Sequence, residues 1–131
     1  FELNQMDIEG VAGRCFYLEE EGIPSYDELI YVANPNRMDA DLVRRFIGAT
    51  ELATQFIINN PQESWEIFSG TAKELQSELN KRAWADTLPR FALRPAAFDV
   101  GRYDRFQNFL IDSGLLSKTM PVDKISVDVT R

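Results

Sequence analysis

The chain has 131 residues, of which 44% are hydrophobic and 27% charged, and its formal net charge is −7. That length and balance fit one domain able to bury a core, and the acidity excludes a nucleic-acid footprint, which needs clustered Lys and Arg. With no histidine and one cysteine, Cys15, the chain also excludes Ser–His and Cys–His nucleophile pairs and any intrachain disulfide.

Along the chain, Glu2 to Glu9 reads as a short helix with Leu3 and Met6 on its apolar side and Gly10 as its stop. Val11 to Leu18 is strand-like and should bury Cys15, while Glu19, Glu20 and Glu21 should be solvated. Gly22-Ile23-Pro24 breaks the chain before Asp27 to Ala33, where Leu29, Ile30, Tyr31 and Val32 are too continuous for a one-sided sheet. Such a run predicts a buried strand inside a covered α/β sheet, with the later helices packed around it.

From Asp39 the spacing turns helical: Leu42, Val43, Phe46, Ala49, Ala53, Phe56 and Ile57 form the predicted apolar stripe, and Asp39 its N-cap. Asn60 and Pro61, with Glu63, predict a capped second helix that carries Trp65 and Phe68 and stops at Gly70. Thr71 with Glu74 predicts another, running through Leu75, Leu79 and Trp84 to about Asp86. Leu88 to Pro95 reads as extended or looped, because each proline restricts its predecessor. Asp99 caps a last helix with Tyr103, Phe106, Phe109 and Leu110 inward and Gly114 as its close, and Ile125 to Val129 alternates like a strand.

Chemistry-bearing patterns are sparse. Three consecutive glutamates alternate faces in a strand and cannot converge on a metal. Asp39 and Asp41 are accounted for by a helix start. The glycines carry no phosphate-cradling spacing. Most aromatics fall on helical stripes and read as core, with Tyr26, beside a turn, and Phe1, beside Glu2, as the exceptions. No apolar run approaches the ~18 residues of a membrane span.

Three segments carry a resemblance across nearly the whole chain. They are Phe1-Glu2-Leu3-Asn4-Gln5; Gly22-Ile23-Pro24 through Asn34; and the set Trp65-Glu66, Ala83-Trp84, Thr87 to Phe91 and Ser113 to Leu116. In these it resembles the C-terminal part of substrate-binding proteins of ABC importers for thiamine pyrimidine precursors, hydroxymethylpyrimidine or formylaminopyrimidine. That family has the two-lobed type II periplasmic-binding-protein fold, of α/β class, and includes the fungal pyrimidine synthases. The resemblance implies that residues 1–25 belong to the second lobe and hinge, and that 26–131 supply the return strand and about five helices of the first lobe. It implies Glu2 as the pocket carboxylate and Phe1 as its aromatic neighbour, although the tryptophan and tyrosine that precede them in the family are absent. The implied partners are a small pyrimidine and the importer's membrane subunits, with no cofactor and no catalysis. The intact protein would lie in the periplasm or on a lipid anchor outside the cytoplasm. A pyrimidine-phosphate synthase, or an importer protein for a sulfonate or flavin, is the alternative implied. A chain without its other lobe should leave apolar surface uncovered, which predicts a homodimer or exchanged segments.

Overall fold

Asp39 Oδ1 accepts from the N–H groups of Asp41 and Leu42, each at 3.0 Å, and so opens the longest helix, α2 (Ala40–Asn59). The computed structural model describes residues 1–129, and the last two residues of the expected tail, Thr130 and Arg131, lie outside them. The other helices are α1 (Glu2–Ile8), α3 (Pro61–Gly70), α4 (Glu78–Thr87) and α5 (Val100–Asp112). Short 3₁₀ turns occupy Lys73–Gln76, Leu88–Arg90 and Val122–Lys124.

Glycine ends three of the turns by one mechanism. At Gly10, Gly22 and Gly114, φ is 71°, 86° and 71°, a region open to glycine because it has no Cβ. The residue after each glycine then bonds a carbonyl five positions back: Val11 to Met6, Ile23 to Leu18 and Leu115 to Leu110, at 2.8, 3.0 and 2.8 Å. Two of these stops, Gly10 and Gly114, fall where the sequence places them.

Several expectations need correction. Among the described residues no β-strand forms, so Val11 to Leu18, Asp27 to Ala33 and Ile125 to Val129 are not strands. Leu29, Ile30 and Val32 are 93%, 59% and 86% exposed, the opposite of a buried strand. A strand satisfies its backbone through a neighbour, and among the described residues no strand stands beside this run, which bends at Glu28 and Leu29. Cys15 is exposed rather than buried for the same reason.

The helix starts also shift. Ser77, not Thr71, caps α4: its Oγ accepts from Asn80 N–H at 3.2 Å, whereas the Thr71 hydroxyl donates back to the Phe68 carbonyl at 2.7 Å. Asn60 stands at the N-cap of α3 without a side-chain cap bond, and its amide donates to the Phe56 carbonyl at 3.0 Å. In α2 the inward stripe is Val43, Ile47, Thr50, Thr54 and Ile57, while Leu42, Phe46, Ala49, Ala53 and Phe56 are exposed. Thr50 and Thr54 are tolerated there because their hydroxyls donate to the carbonyls of Phe46 and Thr50, four residues back. Leu88 to Arg90 forms a 3₁₀ turn, and the chain becomes extended only at Phe91, where ψ is 131°.

The chain divides into two units, each built from two stretches. The first unit holds Phe1–Cys15 and Phe46–Pro95. In it α1 meets α4 through Asn4 Nδ2 donating to Asp86 Oδ2 at 2.7 Å and an Arg82–Asp7 ion pair at 2.6 Å. Its aromatic centre is Trp65, Phe68 and Trp84, with ring centroids 5.1 to 6.2 Å apart. The second unit holds Phe16–Arg45 and Ala96–Arg131. There Asp99 caps α5, its Oδ1 accepting from Arg102 N–H at 3.1 Å, and Gln107 Oε1 accepts from Met120 N–H at 2.6 Å. Val122 and Val129, at 6% and 9% exposed, are the buried apolar side chains among the described residues.

Candidate functional site

Phe1 and Glu2 sit at the start of α1, with Glu2 in its first turn, where a carboxylate meets the positive end of the helix dipole. The Glu2 side chain is 89% exposed and Phe1 57% exposed. The links from Asn4 and Asp7 to α4 fix one side of α1, and helical spacing sets Glu2 on the opposite side. Neither lines a cavity described below.

The structure assembles a denser polar–aromatic cluster in the second unit. Tyr26 stacks on Phe106 with centroids 4.7 Å apart and planes 16° from parallel, and Phe106 continues to Phe109 at 6.0 Å. Asp27, next in sequence, accepts a charge-assisted hydrogen bond from the Arg102 guanidinium. That bond raises the Arg102 pKa, chiefly through hydrogen bonding to the Asp27 carboxylate. Tyr103 is pushed up from its ordinary value first by burial, then by the Asp27 charge and a hydrogen bond to it. Tyr26, Asp27, Arg102, Tyr103 and Phe106 line a cavity of about 160 Å³.

Beside it, an open groove of about 460 Å³ is lined by Glu19, Ile23, Pro24, Asn108, Phe109 and Asp112, among others. The turn at Gly22 supplies one wall, and one face of α5 supplies the other. Arg105 at its edge reaches the Asp99 carboxylate at 3.7 Å. Among the described residues no group of three or more acidic or cysteine side chains could hold a metal ion. What the cluster offers is aromatic surface beside fixed charge, a combination suited to holding a planar polar molecule by stacking and hydrogen bonds.

Sequence reasoning singles out Tyr26 because it follows a turn. It misses Asp27 with Arg102, since nothing local links residues 75 positions apart. The Trp65 and Ala83-Trp84 motifs of the resemblance do meet, with their indole rings 5.9 Å apart.

With the geometry described, comparisons with known proteins show what the chain is similar to. Residues 1–64 match the family described as NMT1/THI5 like. Over 130 residues the chain is 38% identical to a Haemophilus influenzae protein named "Putative thiamine biosynthesis protein". The alignment covers 98% of this chain and 41% of that relative, so the chain spans about two fifths of the length of the curated relative it matches. Together these two matches support the NMT1/THI5-like family for this chain. No solved structure matches it. Among the described residues no helix is long and apolar enough to cross a membrane.

Proposed function

We propose that this chain is the C-terminal part of a two-lobed solute-binding protein that delivers a thiamine pyrimidine precursor to an ABC importer. In this reading residues 1–25 belong to the second lobe and hinge, and 26–131 to the first lobe of a type II periplasmic-binding-protein fold. The intact protein lies outside the cytoplasm and acts without catalysis. The observation that carries the reading is the NMT1/THI5-like match over residues 1–64, which includes Phe1 and Glu2.

Glu2 then accepts from the exocyclic amine of an aminopyrimidine, and Phe1 adds aromatic surface beside it. Glu2 is exposed here, and a carboxylate hydrogen bond gains strength only when an opposing wall excludes water. The isolated chain therefore binds weakly, and the longer protein binds well.

Calorimetric titration of hydroxymethylpyrimidine and its formylamino relative into the longer protein tests this. Glu2→Gln keeps the shape but removes the charged acceptor, at an expected cost of about 1.5–3 kcal/mol. Equal affinities for wild type and variant would remove Glu2 from the site. The relative's name fits a pyrimidine-phosphate synthase as well. Turnover of substrate to a pyrimidine phosphate, in place of tight reversible binding, would establish that second reading.

A further inference from the structure

Arg102 and Tyr103, near the start of α5, line the cavity of about 160 Å³ together with Tyr26, Asp27 and Phe106, and its walls are held in place. Tyr26 is fixed by its stack on Phe106, and Tyr103 by Phe98, whose ring centroid lies 5.6 Å away. Asp27 is held by the Arg102 guanidinium and by a hydrogen bond from Tyr103. All of these residues belong to the second unit. Walls set beforehand lower the ordering cost of binding.

Size and charge narrow the occupant. A cavity of about 150 Å³ holds one benzene ring, so this one takes a single six-membered ring and excludes a nucleotide. Tyr26, Tyr103 and Phe106 supply aromatic contacts for it. The polar wall is one carboxylate beside one guanidinium, and their charges cancel. An anionic group there would meet Asp27, and a cationic one Arg102, so the pair favours a neutral ligand. Hydrogen-bonding capacity remains on both partners. A carboxylate has about four lone-pair sites, and a guanidinium carries more N–H donors than the Nη1 that Asp27 engages. An acceptor beside a donor matches a ring edge that carries an amine next to a ring nitrogen.

We infer that this cavity binds a neutral, single six-membered heteroaromatic ring with an amino group beside a ring nitrogen. The amine donates to the Asp27 carboxylate, the ring nitrogen accepts from Arg102, and Tyr26, Tyr103 and Phe106 surround the ring. The Asp27–Arg102 pair stays formed, because the ligand uses lone pairs and N–H groups that the pair leaves over. The inference goes beyond the Glu2 reading and does not rest on it, since no residue of α1 takes part.

NMR titration of the 131-residue chain with 4-aminopyrimidine, pyrimidine, aniline and benzoate, at neutral pH, provides the test. For so small a ligand the expected Kd of 4-aminopyrimidine is about 0.1–1 mM. Pyrimidine lacks the amine and aniline the ring nitrogen, so each should bind about tenfold more weakly, and the benzoate anion should not bind. Backbone amide shifts should centre on Tyr26, Asp27, Arg102, Tyr103 and Phe106. Asp27→Asn keeps the shape and should erase the preference for 4-aminopyrimidine over pyrimidine, with near-UV circular dichroism reporting on its fold. The ligand series on wild type decides the matter even where that variant unfolds. Equal affinities for 4-aminopyrimidine and pyrimidine, or shifts confined to α1, would overturn the proposal. So would binding by the 131-residue chain that is lost in the longer protein, because the rest of that protein would then fill the cavity.

Discussion

Tyr26 lies flat on Phe106, with ring centroids 4.7 Å apart and planes 16° from parallel. The contact joins a segment with no regular structure to the middle of α5, and the Asp27–Arg102 pair seals it one residue later. Removing the ring should therefore loosen a long-range tie. Tyr26→Ala is expected to cost about 2–3 kcal/mol, combining lost area with the stacking contribution, while Tyr26→Phe should be near neutral. Urea denaturation of the two variants against wild type checks this, and equal midpoints for Tyr26→Ala and wild type would deny the stack a structural role.

Tyr103 gives a pH dependence with a definite sign. Its folded pKa is raised, with burial as the largest cause and the Asp27 charge next, so the neutral phenol is the form the fold prefers. Its contribution is complete below the unfolded value of about 10 and is lost as pH rises through the higher folded value. The difference in unfolding free energy between wild type and Tyr103→Phe should be flat from about pH 7 to 9 and fall above about pH 10. A difference that stays constant across that upper range would contradict it.

Trp84 carries a buried Nε1–H with no hydrogen-bond partner among the described residues. Its ring meanwhile packs on Trp65 and Phe68, at 5.9 and 5.1 Å. Trp84→Phe deletes the orphan donor but keeps aromatic surface, so it should cost less than about 1.5 kcal/mol. Trp84→Ala removes the ring itself and should cost about 3–5 kcal/mol. Thermal denaturation of both variants would expose an error here if the two were equally destabilised.

Two glycines should respond in opposite directions to alanine. Gly48 lies inside α2, and a Cβ built there meets nothing within 4 Å, so Gly48→Ala should stabilise by about 0.5–1 kcal/mol. Gly114 has φ of 71° at the end of α5, where a Cβ is strained, so Gly114→Ala should destabilise by about 1–2 kcal/mol. Chemical denaturation of the pair is decisive because the same methyl group is added each time.

Sequence by itself determined the features that depend on a few adjacent residues. Asp39 and Asp99 cap the helices assigned to them, since an N-cap bond spans only two or three positions. Gly10 and Gly114 stop α1 and α5 because only glycine takes that backbone conformation freely. Tertiary structure decided everything that depends on a distant partner. The run from Leu29 to Val32 has the composition of an inner strand, yet a strand exists only where another lies beside it, and among the described residues none does. The stripe of α2 turned toward Thr54 rather than Phe56, because what covers a helix face is set by its neighbours and not by its own hydrophobicity. Asp27 found Arg102 across 75 residues of sequence, a pairing that only the folded path of the chain brings about.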